Sequence, residues 1–232
     1  MIGIIGAMTE ELTGLLESLA DKTDMQRGSF TLYGGSLQGK AVLVAQCGIG
    51  KANAAALAQT MVLEGVGALI FTGVAGAVAT GLKVGDIVVS SDAVQHDVDV
   101  RPLGYVRGEV PGDGLAWVAD EALQRVALRA AAALPEVVAG EVKVHSGRVL
   151  SGDQFIADKA KVAELRDTFD GACAEMEGAA VAQLCSRAGV PFVIIRSLSD
   201  SADGSAELDF RAFTVLAAQR AKAVVLGMLE RL

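Results

Sequence analysis

Aromatic side chains are scarce in this chain: one tryptophan, two tyrosines and seven phenylalanines among 232 residues. Histidine is scarcer at two, cysteine stops at three and proline at four. Each shortage excludes something. So few aromatics do not suit an aromatic-rich binding surface, while a hydrophobic content of 52% carried by Leu, Val, Ile and Ala points to an aliphatic core of buried strands and stacked helices. Cys47, Cys173 and Cys185 are odd in number, far apart and set among apolar neighbours. That argues against a disulfide framework and a four-ligand zinc site, and leaves core packing. His96 and His145 stand alone; "QHDVDV" lacks the ligand set of a metal centre, so His96 is read as a hydrogen-bonding group and no metal is expected.

Positive charge is also short. The formal net charge is -8 and the isoelectric point about 4.8. No basic run appears, so a phosphate-backbone partner is excluded. "MIGIIGAMTEEL" has no positively charged leader region, and no apolar run reaches the roughly 18–20 residues of a membrane span. A cytoplasmic protein with no membrane partner is expected, and the length suits one domain spanning 1–232.

What is present alternates. "MIGIIGA" reads as a buried strand opening into a helix over about Thr9–Leu19, with Glu10 and Glu11 in its first turn, where acids also favour the helix dipole. "SFTLYGGSLQGKAVLVAQCG" reads as a hairpin turning at Gln38-Gly39, followed by "CGIGKANAA" and a helix to about Gly65. "GALIFTGVAGAV" gives a buried strand and a glycine turn, and "KVGDIVVSSDAVQHD" another strand. "VRPLGYVRGEVPGDG" is an extended loop. Helices over 115–134, 157–168 and 176–188, strands over 141–150 and 191–197, and a last helix from about Asp209 complete the pattern. Apolar strands alternating with helices imply a mostly parallel sheet covered on both faces, with the ligand crevice beyond the strands' carboxyl ends. Glu11, "GVAG" and Ser199-Asp200 each follow a strand and can meet there.

The chemistry narrows by elimination. "GIIGAM" lacks the third glycine of a dinucleotide turn and its strand-end acid, and "GIGKAN" is too short for a P-loop, so no nucleotide cofactor is expected. "SGDQF" is not a nucleophile elbow, and neither histidine has an obvious nucleophile partner. Carboxylates remain. Glycosidic bond cleavage needs an acid for the leaving group and a carboxylate that orients or deprotonates water, roles open to Glu11, Glu177 and Asp200.

"GIIGAMTEEL", "GIGKANAA", "TGVAGAV", "KVGDIVVS", "SGDQFI", "EMEGAAVA" and "VPFVIIRSLSD" resemble, in order and spacing, the 5'-methylthioadenosine/S-adenosylhomocysteine nucleosidases of the nucleoside phosphorylase superfamily. The resemblance implies a single-domain, three-layer αβα sandwich with a mixed, mostly parallel central sheet. It also implies an N-glycosyl hydrolase releasing adenine from methylthioadenosine and adenosylhomocysteine. By the same resemblance Asp200 protonates adenine at N7, Glu11 activates water and Glu177 holds the ribose hydroxyls. Phe155 stacks on the base, the Ile156 backbone reads its edge and Ser199 orients Asp200. Met8, Met176 and Phe210 line the ribose and 5'-thio side, with Val74 beside them, and Val100 and Leu103 reach a neighbouring subunit's site in a homodimer.

Glu175 is read instead as a cap or a partner for Arg196, and Asp203 as a loop or capping acid. Phe71 and Val74 stand where a phosphorylase would carry phosphate-binding Arg and Ser, which favours hydrolysis. "DVRPLGY" departs from the family's "DVTAFGY" at Arg101, Pro102 and Leu103. Aminofutalosine hydrolysis therefore stays open as an alternative, as does a phosphate-dependent purine nucleoside phosphorylase.

Overall fold

The computed structural model describes residues 1–200 and 206–232, with the side chains of 206–212 excepted. Strand β1 (Ile2–Gly6) leads into helix α1 (Thr9–Glu17), and β2 (Ala20–Arg27), β3 (Phe30–Leu37) and β4 (Lys40–Gln46) follow as a meander. The β3–β4 hairpin turns where the sequence places it. Gln38 and Gly39 both take positive φ, 49° and 73°, the twist that a two-residue hairpin loop favours. Helix α2 (Lys51–Leu63) precedes β5 (Ala68–Ala77) and β6 (Ile87–Gln95); a 3-10 turn at Arg101–Leu103 and a two-residue strand β7 (Trp117–Val118) lead to α3 (Glu121–Ala132). The short α4 (Pro135–Val138), β8 (Val144–Ser151), α5 (Lys159–Phe169), β9 (Gly171–Glu175), α6 (Gly178–Ala188), β10 (Phe192–Asp200) and α7 (Ala206–Leu229) complete the chain.

The strands form one sheet in the order β2-β3-β4-β1-β5-β9-β8-β6-β10, and β10 pairs back onto β5. Five strands thereby close into a barrel, and β1 to β4 extend from it as an open wing. Strand β1 runs parallel to β4 and β5, β5 to β10, β6 to β8, and β8 to β9. The pairs β2–β3, β3–β4, β5–β9, β6–β7 and β6–β10 are antiparallel. The sheet is mixed as expected, but parallel and antiparallel pairings are equal in number, and closure replaces the flat central layer of a three-layer sandwich.

Period-two alternation sends neighbouring strand residues to opposite faces. Ile4, Ile70 and Ile195 pack with Leu12 and Leu15 of α1, Ala127 of α3 and Val224, Val225 and Met228 of α7. Ile5, Phe71 and Ile194 face the other way, onto Leu57 and Met61 of α2 and Val181 and Cys185 of α6. The three cysteines are free and buried, as packing residues should be.

Several elements differ from the sequence expectation. The helix read from 115 begins at Glu121, because the Asp120 carboxylate caps it by accepting from Leu123 N–H at 2.9 Å. "GVAG" does not turn: Gly73–Gly76 stays in β5, paired with β10. Strands β2 and β9 carry no strand signal of their own, and α7 starts three residues before Asp209. Among the described residues no helix is long and apolar enough to cross a membrane.

Candidate active site

The parallel strands β1, β5 and β10 end on the same side, and beyond their carboxyl ends lies a cavity of about 350 Å³. Ala7, Met8 and Glu11 come to it from the β1–α1 junction, and Val74, Ala75 and Gly76 from β5. Gln154, Phe155 and Ile156 approach from the loop after β8, Ala174 to Glu177 from the β9–α6 junction, and Ser199 and Asp200 from β10. Ile49 stands at the rim, 57% exposed.

Glu11 reaches back from the first turn of α1. Its Oε2 accepts from the N–H groups of Ala7 at 2.6 Å and Met8 at 2.9 Å, and its Oε1 accepts from Val74 N–H at 3.0 Å. The carboxylate closes donors left open at the helix start and bridges β1 to β5. Burial pushes its pKa above the usual carboxylate value, against the opposing pull of Arg196 and the three N–H donors. Gly73 permits this approach. A Cβ there would collide with both Glu11 and the Arg196 guanidinium.

Glu175 ends β9, Glu177 stands just before α6, and their side chains diverge. Glu175 pairs with Arg196, accepts the Ser151 hydroxyl and takes Gly178 N–H at 2.9 and 2.8 Å. It is the cap and the internal ion partner at once, as the sequence indicated. Arg196 lies buried with its guanidinium 4.1 Å from the Phe71 ring centroid. Glu177 is turned toward the cavity and accepts from Gly50 N–H at 2.8 Å. Burial and the neighbouring Glu175 push its pKa up, to about 7.

Asp200 ends β10, 3% exposed, and accepts from the Ser199 hydroxyl at 2.9 Å. Ile156 is buried whereas Phe155 is 51% exposed at the opening; Met8 and Met176 are half-buried in the wall. The structure thus gathers Met8, Glu11, Val74, Phe155, Ile156, Met176, Glu177, Ser199 and Asp200 around one space. Val100 and Leu103 do not line it, and Leu103 is 73% exposed. The side chain of Phe210 and all of Asp203 lie outside the described residues.

Gly50, Gln154 and Ile49 belong to the site without having been singled out. The first two carry no side-chain signal of chemistry; the glycine acts through its N–H alone. His96 departs from expectation: it is fully buried, yet among the described residues neither ring nitrogen has a hydrogen-bond partner. Burial lowers its pKa to about 4, so the imidazole is neutral.

The sequence profile of the Phosphorylase superfamily matches residues 1–230. A 5'-methylthioadenosine/S-adenosylhomocysteine nucleosidase of Actinobacillus succinogenes is 42% identical over 236 residues, covering 100% of this chain and 99% of the relative. An aminodeoxyfutalosine nucleosidase of Campylobacter jejuni is 38% identical over 232 residues, again covering 100% and 99%. The crystal structure of the Neisseria meningitidis 5'-methylthioadenosine/S-adenosylhomocysteine nucleosidase in complex with methylthio-immucillin-A superposes with a TM-score of 0.94 at 38% identity, over 100% of this chain and 99% of that one. By full-length identity and by fold, the chain belongs to the phosphorylase superfamily and, within it, to the 5'-methylthioadenosine/S-adenosylhomocysteine nucleosidase family.

Proposed function

We propose that this protein hydrolyses the N-glycosidic bond of 5'-methylthioadenosine and S-adenosylhomocysteine, releasing adenine and the thioribose, as one domain over residues 1–232 acting in the cytoplasm on methionine salvage. The observation that carries the reading is the placement of Glu11, Glu177 and Asp200 around one cavity, each from a different strand end. Asp200, held by Ser199, protonates N7 as the bond from N9 to C1' breaks. Glu11 takes a proton from the water that attacks C1', and its raised pKa strengthens it as a base. Glu177 accepts hydrogen bonds from the 2' and 3' hydroxyls. Phe155 stacks on adenine, the Ile156 backbone reads its edge, and Met8, Met176, Val74 and Phe210 surround the ribose and the alkylthio group.

Water rather than phosphate is the nucleophile. Among the described residues that line the cavity none is Lys or Arg, and the nearby Arg196 is already paired with Glu175. A phosphate dianion would meet carboxylates instead of cations. The exposure of Leu103 supports a homodimer in which Val100 and Leu103 of the partner subunit cover the 5' group. The likeness to the Campylobacter jejuni aminodeoxyfutalosine nucleosidase supports an aminofutalosine-type nucleoside as a second substrate of the same site. Methylthioadenosine incubated with the enzyme in phosphate-free buffer should yield adenine and free methylthioribose at a rate that added phosphate does not raise. Ribose-1-phosphate chemistry in the sugar product, or strict phosphate dependence, would reverse this reading.

A further inference from the structure

Behind the cavity wall three charged side chains join three segments that are distant in sequence. Lys51 opens α2, Asp97 follows β6, and Asp153 lies in the loop between β8 and α5. Lys51 Nζ donates to Asp97 Oδ1 at 2.6 Å and to Gln95 Oε1 at 3.0 Å. The second Asp97 oxygen accepts from Asp153 N–H at 2.9 Å. Asp153 Oδ1 in turn accepts from Lys51 N–H at 2.9 Å, closing a ring. One residue earlier, Gly50 N–H donates to Glu177. Successive N–H groups at one helix start therefore serve the carboxylate proposed for the ribose and the loop that carries Gln154, Phe155 and Ile156.

The Lys51–Asp97 pair is largely withdrawn from water, with 17% and 16% side-chain exposure, so it is less screened than a surface ion pair, whereas Asp153 closes the ring from the exposed side. Burial opposes ionisation of Asp97, yet the Lys51 and Asp153 hydrogen bonds hold its carboxyl below the usual range. Beneath the loop the neutral His96 ring abuts Gly152, where a Cβ would collide with it. The loop is fixed from below by packing and from the side by the ring.

We propose that Lys51, Asp97 and Asp153 are positioning residues that hold the base-contacting loop in register with Glu177, so that the nucleoside's base and sugar are gripped as one unit. The inference rests on the function proposed above. Glu11 and Asp200 are held by β1, β5 and β10 rather than by the ring, so loosening it should act on binding more than on the chemical step.

Asp97→Asn and Lys51→Met, alone and together, test this, with KM, kcat, inhibition by free adenine and the thermal midpoint measured for each. Expected is a loss of kcat/KM of about 10- to 100-fold, larger in KM than in kcat, a matching weakening of adenine, and a double variant no worse than the poorer single one. Wild-type KM and adenine inhibition in both single variants would overturn the proposal. So would losses that follow the thermal midpoint with no selective change in adenine binding. Should Asp97→Asn fail to fold, Lys51→Met carries the same comparison. Calorimetric binding of free adenine reads the ring without turnover, so a wild-type protein that binds adenine but hydrolyses nothing would sink the proposed function and leave this test standing.

Discussion

Glu11, Glu175 and Glu177 share the field of one guanidinium, that of the buried Arg196. Glu175 takes its hydrogen bond, and the other two are left with backbone N–H donors. Burial raises the pKa of both, with the Glu175 charge adding to the rise at Glu177, and the shared pull of Arg196 does not cancel it. Raising an acid's folded-state pKa means that ionising it costs folding free energy. For Glu177 the contribution is fully favourable below about 4.5 and is lost as pH rises toward about 7. Glu177→Gln removes the charge while its amide oxygen can still accept from Gly50. The variant should therefore melt higher than the wild type at pH 8, by on the order of 1–3 kcal/mol, with the gap closing in acid, and should bind nucleoside poorly. Equal melting curves across that range would contradict the buried ionised form. Glu11→Gln should lower turnover by about 10²- to 10⁴-fold, because an amide takes no proton from water. Unchanged turnover would place water activation elsewhere.

Elements were legible where their residues carry a period or a turn. Strand β1, the β3–β4 hairpin, α2, α6 and β10 all show it, and so the converging strand ends and the Glu11, Glu177 and Asp200 set could be read. Strand β9, "GACAE", has no β-branched residue, and β2, "ADKTDMQR", is polar and mostly exposed. Both are strands through pairing alone, and missing β9 hid the barrel's closure. The Lys51 ring was equally hidden, since its partners lie 46 and 102 residues away and each residue type alone reads as a solvated charge. Gly50 shows how an element end carries function. Its φ is 99°, and a Cβ would come within 3.2 Å of Asp153 Oδ1. Gly50→Ala should cost about 1–3 kcal/mol and raise KM by disturbing the donors to Glu177 and Asp153; denaturant melts and steady-state kinetics measure both. A neutral effect on each would mean that the α2 start does not organise the site.

At the scale of the molecule, the barrel fixes where strand ends meet, while the cavity mouth stays open beside the exposed Ile49 and Phe155. Leu103 and Phe213 are further large apolar side chains left substantially exposed, and exposed apolar surface of this kind is what a second subunit would cover. Sedimentation at micromolar concentration should give roughly twice the 23.8 kDa chain mass. Leu103→Asp should weaken alkylthio substrates more than adenosine. A fully active monomer would remove the shared-site proposal and leave the roles of Glu11, Glu177 and Asp200 intact. The central claim is that acid-assisted hydrolysis occurs at this carboxylate cluster, and the most direct test is adenine release from saturating methylthioadenosine without phosphate, wild type beside Asp200→Asn. The account predicts steady adenine release by the wild type and about 10²- to 10⁴-fold less by the variant, which still binds the nucleoside. Equal release by the two proteins would contradict it.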